Sequence, residues 1–217
     1  MARASKRRLT NRRQRRLFQL VLLALSPSSL LAQAADTVPS AKQGDTLVYV
    51  KRGKADEVWL RRGGGKARRV IGPKELKSIN FAYASRVVGV EISPTGKFFF
   101  FQVHDGDVSR VTAIFDLQSD KAEVLLAPEG DTFRACWHPK EDVIYFAAGE
   151  SIPPTKGTTL YSLNLGTRER RRLFQQGTLN LMHAGREGLE LSFEVFDQGV
   201  MRSVKETVPY EAFLRIQ

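Results

Sequence analysis

Val90-Glu91-Ile92-Ser93-Pro94-Thr95-Gly96-Lys97-Phe98-Phe99-Phe100-Phe101 reads as a strand, a proline turn and a second, strongly apolar strand. The pattern returns at Arg134-Ala135-Cys136-Trp137-His138-Pro139-Lys140-Glu141-Asp142-Val143-Ile144-Tyr145-Phe146, with its proline 45 residues further on. The match continues downstream. Ala113-Ile114-Phe115-Asp116-Leu117 corresponds to Leu160-Tyr161-Ser162-Leu163-Asn164-Leu165, and Glu123-Val124-Leu125-Leu126 to Arg171-Arg172-Leu173-Phe174. Two units of four strands emerge. Phe98–Phe101 and Val143–Ala148 are apolar without alternation, the mark of strands covered on both faces. One four-stranded sheet cannot cover both of its own faces, so the units must stack on each other.

Ser93-Pro94-Thr95-Gly96-Lys97 before an aromatic strand resembles the Trp-Ser-Pro-Asp-Gly-Lys turn of TolB-type, WD-like β-propeller repeats. Trp137-His138-Pro139 is a looser copy, and Leu160–Arg168 with Arg171-Arg172-Leu173 resembles the third and fourth strands of the repeat. The resemblance covers residues 88–176 well. It departs at Thr95, which replaces the usual Asp, and at Lys140-Glu141-Asp142, which replaces Asp-Gly. It implies an all-β, propeller-like fold acting as a periplasmic protein-interaction or scaffold module. A small-ligand-binding or hydrolytic propeller with a site at the channel mouth is the alternative.

Working outward, residues 45–71 supply three more strands and residues 179–205 another three. Residues 72–86 are less regular, with a helical turn at Pro73-Lys74-Glu75-Leu76. The total is about three and a half to four blades, whereas closed propellers have about four to eight. The chain therefore closes as a small ring, is a sector completed by a second copy, or is a shortened relative of a longer protein. The end strands, with Leu47, Val48, Tyr49 and Val50 on one side and Leu189, Leu191, Phe193 and Val195 on the other, are expected to need cover from each other or from a homodimer partner.

Composition agrees with a folded body. The chain has 217 residues, 42% of them hydrophobic, 26% charged and one a cysteine, Cys136, which excludes an intramolecular disulfide. The net charge of +11 is concentrated at the start: Arg3, Lys6, Arg7, Arg8, Arg12, Arg13, Arg15 and Arg16 meet no acid before Asp36, and the rest of the chain is nearly balanced. After them come the apolar run Leu17–Leu25 and Ala32-Gln33-Ala34. These are the three parts of a secretory signal peptide, with cleavage after Ala34. Arg15-Arg16-Leu17-Phe18-Gln19-Leu20 resembles a twin-arginine motif, which implies export of the folded protein. The competing readings are a retained anchor, a mitochondrial presequence and a basic nucleic-acid-binding arm. The expected organisation is a signal peptide at 1–34, a linker at 35–44, the propeller-like domain at 45–208 and a tail at 209–217. The expected location is the bacterial periplasm, with membrane contact only through the signal segment.

Catalytic motifs are few. Gly-x-Ser-x-Gly is absent, and Gly63-Gly64-Gly65-Lys66 lacks the Ser or Thr of a phosphate loop and sits between strands as a hairpin turn. His104, His138 and His183 lie at strand ends without ligand spacing, and His138 is read as the cap of its turn. Asp105 and Asp107 offer too few ligands for a closed metal site. Cys136 is read as a small buried hydrophobe, and Trp59 and Trp137 as blade packing. No cofactor and no catalytic residue is expected. Arg61, Arg62, Lys66, Arg68 and Arg69, and Arg168, Arg170, Arg171 and Arg172, surround two outer hairpins, either to guard strand edges or to form a basic rim. Without interleaved aromatics they do not suit nucleic acid. The expected partner-binding loops are His104, Asp105 and Asp107; Pro153, Pro154 and Lys156; and Asp197, which the repeat places on one face.

Overall fold

The computed structural model describes residues 38–78, 86–104, 110–127, 132–148, 157–175, 177–197 and 199–215. The expected signal residues Arg15, Arg16, Phe18, Ala32 and Ala34 lie outside these, as do Asp105, Asp107, Pro153, Pro154 and Lys156. Residues 38–217 form one compact unit.

Among the described residues the unit is all-β apart from one short helix and a 3-10 turn, and its strands form four consecutive antiparallel blades. Blade 1 holds β1 (Ser40–Gln43), β2 (Thr46–Lys51), β3 (Glu57–Arg62) and β4 (Arg68–Ile71). Blade 2 holds β5 (Arg86–Ile92), β6 (Phe98–His104), β7 (Arg110–Asp116) and β8 (Lys121–Val124). Blade 3 holds β9 (Thr132–Trp137), β10 (Val143–Ala148), β11 (Thr158–Asn164) and β12 (Arg170–Gln175). Blade 4 holds β13 (Thr178–Ala184), β14 (Gly188–Asp197) and β15 (Val200–Pro209). The chain then makes a 3-10 turn, Tyr210–Ala212, and returns to blade 3, where β16 (Leu214–Arg215) pairs with β12 as a fifth strand. Between blades 1 and 2 lies the helix α1 (Pro73–Ser78). Pro73 suits its first turn, Glu75 accepts a 2.8 Å hydrogen bond from the Gly72 amide, and Leu76 is buried in the core beneath.

The strand count exceeds the sequence reading at both ends. Ser40–Gln43, in the expected linker, completes blade 1 by pairing with β2, and Leu214–Arg215, in the expected tail, adds an edge to blade 3.

Side chains alternate across each strand, so each blade offers two faces. In blade 2, Phe99, Phe101 and Val103 pack against blade 1, while Phe100 and Ile114 pack against blade 3. In blade 3, Ile144, Phe146 and Ala148 face blade 2, and Tyr145 and Ala147 face blade 4. The unbroken apolar runs in the middle blades follow from this double burial. Every buried apolar side chain among the described residues belongs to one of these three interfaces, 1/2, 2/3 or 3/4.

The end blades differ from the sequence reading. Leu189, Leu191, Phe193 and Val195 do not look outward; they pack on blade 3 together with Val208 and Phe213. The outward row of the same strand is Glu190, Ser192, Glu194 and the exposed Phe196. Val48 and Val50 likewise face blade 2, leaving Leu47 and Tyr49 outward. Alternation lets an end blade bury one face and solvate the other. No apolar cluster among the described residues joins blade 4 to blade 1. The architecture is that of a propeller-like sector.

Candidate functional site

The repeat turns hold the blades in register. Ser93 is fully buried; its hydroxyl accepts from the Phe98 amide at 3.3 Å, and its carbonyl accepts from the Gly96 amide at 2.9 Å. Gly96 has φ +70°, a conformation that glycine adopts without strain. Asp116 and Asn164 do the same work in their two blades, each accepting turn amides on Oδ1. His138 caps its turn as expected: Nδ1 accepts from the amides of Lys140 and Glu141. Those bonds place the proton of the neutral ring on Nε2, and burial holds the imidazole below its ordinary pKa.

The arginine clusters are largely structural. Arg62 donates to the Leu117 carbonyl at 2.6 Å, and Arg68 pairs with Asp120, joining blade 1 to blade 2. Arg168 pairs with Glu123, and Arg170 donates to the Leu126 carbonyl at 2.9 Å, joining blade 3 to blade 2. Asp56, fully buried, binds Arg52, Arg86 and the Val87 amide, a further link between blades 1 and 2.

Two surfaces remain. The first is the outward face of blade 1. Register places Ser40, Tyr49, Trp59 and Arg69 in one row, with Lys42, Leu47 and Arg61 beside it and Lys51 opposite Glu57. Trp59, expected as blade packing, is half-buried here. Lys51 Nζ lies 3.4 Å from its ring centroid, and its indole N–H donates to Glu57 at 3.0 Å. Glu57 also takes Arg69 at 2.9 Å, and hydrogen bonds from Arg69 and then Trp59 hold its carboxyl below the usual range. Four cations against one acid, around Leu47, Tyr49 and Trp59, make a basic and aromatic sheet face. Trp137, by contrast, is buried between blades 2 and 3 and donates to the Glu91 carbonyl.

The second is a cavity of about 340 Å³ on the blade 4 side of blade 3. One cross-strand row forms its floor: Tyr145 on β10, Ser162 on β11 and Arg171 on β12. His138, Glu141, Asn164 and Glu169 also line it, as do Tyr210 and Glu211 of the 3-10 turn. Tyr210 is fixed by stacking on Tyr145 with centroids 5.2 Å apart, by an edge contact with His138 at 4.6 Å, and by a 2.7 Å hydrogen bond to the Gly185 carbonyl. Burial pushes the Tyr145 phenol up and that of Tyr210 up to about 12, so both stay protonated donors. Cys136 begins the same row; it is buried and its thiol is pushed up, which leaves it inert.

Sequence reasoning located His138 but not this cavity. Of the expected binding-loop residues only His104, at the end of β6, and Asp197, paired with Arg202 at 3.5 Å, are described, and neither lines this cavity.

No family model and no curated protein matches the chain. Solved structures similar to it are propeller-containing proteins. TolB from Acinetobacter baumannii has 16% identity and a TM-score of 0.45, over 79% of this chain and 44% of that one. The β-propeller domain of the Trilobed protease from Pyrococcus furiosus has 11% identity and a TM-score of 0.43, over 78% and 57%. The acylaminoacyl peptidase of Pyrococcus horikoshii has 13% identity and a TM-score of 0.48, over 79% and 33%. The chain thus spans well under two thirds of each of these proteins.

Proposed function

We propose that the protein is exported, loses residues 1–34, and works in the periplasm by binding another protein through the outward face of blade 1. The observation that carries this reading is the arrangement of Trp59, Tyr49 and Leu47 among Lys42, Lys51, Arg61 and Arg69 on a sheet face that no blade covers among the described residues. Aromatic and arginine side chains dominate protein interfaces because they bury large area and still satisfy polar partners. The excess of cations selects a partner with an acidic docking surface. The leader supports export: an acid-free arginine segment, an apolar run and Ala32-Gln33-Ala34. No helix among the described residues is long and apolar enough to cross a membrane.

The experiment is site-specific photo-crosslinking in cells, with the reactive group at Tyr49 and, for comparison, at Pro153 of the binding loops expected from the sequence. The reading expects one acidic partner captured from Tyr49, lost on Arg69→Glu, and a mature N-terminus at Ala35. Capture from Pro153 alone would move the binding face to the loops. Capture of a second copy of this chain would show a homodimer completing the ring.

A further inference from the structure

We propose that the cavity on blade 3 is a binding site for a free α-amino acid, held at both its charged ends. The floor is a set of donors. Tyr145 and Ser162 are 3% and 7% exposed, and neither hydroxyl has a hydrogen-bond partner among the described residues. Buried side-chain atoms wholly sealed from solvent all have partners among the described residues, so these two hydroxyls open into the cavity. Arg171 stands next in the row. Its Nε is occupied by Glu169 at 3.1 Å, and its terminal nitrogens are available for a planar acceptor. Two hydroxyls and a guanidinium along one row suit a carboxylate.

The other polar lining has the opposite character. Glu141 and Glu211 form no ion pair among the described residues, whereas Glu169 is held by Arg171. Glu169 is balanced by Arg171, so Glu141 and Glu211 are the carboxylates among the described lining residues left to meet an ammonium. A zwitterion with its carboxylate inward and its ammonium outward satisfies both. Val143 and the Tyr145 and Tyr210 rings supply apolar wall for a side chain, and about 340 Å³ suits a ligand of this size. The row is unusual within its blade. Ser162 interrupts the apolar strand β11, and the 3-10 turn that roofs it comes from the end of blade 4. The site does not involve the blade 1 face, so either reading stands or falls without the other.

The test is isothermal calorimetry with L-leucine, N-acetyl-L-leucine and L-leucinamide, which keep the side chain and remove one charge at a time. L-leucine should bind at least about tenfold more tightly than either blocked form. Arg171→Gln should weaken L-leucine about tenfold or more, and Ser162→Ala should weaken it by a smaller factor. Arg172→Gln, on the opposite face of the same strand, should change nothing. Thermal melts confirm that each variant is folded. Equal binding of the three compounds, no binding of L-leucine at millimolar concentration, or full binding by folded Arg171→Gln would overturn the proposal.

Discussion

Thr95 stands where the repeat motif carries Asp, and the structure gives the reason. Its hydroxyl donates to Asp142 at 2.6 Å, across from the turn of one blade to the same turn of the next. An aspartate at 95 would face another carboxylate. Thr95→Asp, although it restores the motif, should therefore destabilise the protein by about 1–3 kcal/mol, and urea unfolding measures this. A neutral or stabilising effect would show that the turn-to-turn bond contributes nothing. His138 gives a second prediction. Its folded pKa lies below the ordinary value, because burial opposes the charge and its Nδ1 is already accepting two amides. The unfolded chain then binds the proton more readily than the folded one, so stability is lost as pH falls through the ordinary histidine range near 6.5. His138→Asn keeps an acceptor for the turn without a titrating group. Between pH 7.5 and 5.5 its melting temperature should fall less than that of the parent. An equal fall would place the acid sensitivity elsewhere.

At the scale of elements, the two end blades carry the test of how the stack is covered. Leu191 faces blade 3, and Glu190, beside it, faces out. Leu191→Ala should cost about 2–5 kcal/mol, whereas Glu190→Ala should stay within about 0.5 kcal/mol. If blade 4 were packed on both faces, both changes would be costly. The middle blades were legible in the sequence because their signals are local: a proline turn and an unbroken apolar strand fall within a dozen residues, and an Asx turn follows one strand later. The end blades were half legible. Gly188–Val195 alternates plainly, but the alternation read as a demand for a covering neighbour when it records the lack of one. β1 was missed because Ser-Ala-Lys-Gln has no apolar run, its place being set by pairing with β2. β16 was missed because two residues give no periodicity and their partner strand lies far back in the chain. The cavity was missed for the same reason: its floor and its Tyr210 wall are distant in sequence, and only the return of the chain from blade 4 to blade 3 brings them together.

At the scale of the whole unit, three apolar interfaces join four blades in series, and the series ends in a mixed face on blade 4, where Leu181, Phe196 and Met201 are exposed beside Glu190, Ser192 and Glu194, and a basic, aromatic face on blade 1. Arginines from the outer hairpins and the buried Asp56 tie neighbouring blades at their rims. The central claim is that the blade 1 face is free in the single chain and available to a partner. The chain has two tryptophans, and they divide cleanly: Trp137 is buried between blades and Trp59 lies on that face. Acrylamide quenching of tryptophan fluorescence, on mature protein dilute enough to be monomeric by mass, reads this directly. The account predicts one quenchable and one shielded population, with the quenchable one lost in Trp59→Phe. Two shielded tryptophans in the monomer would show the face already covered within the chain, and would contradict both the open sector and the docking surface built on it.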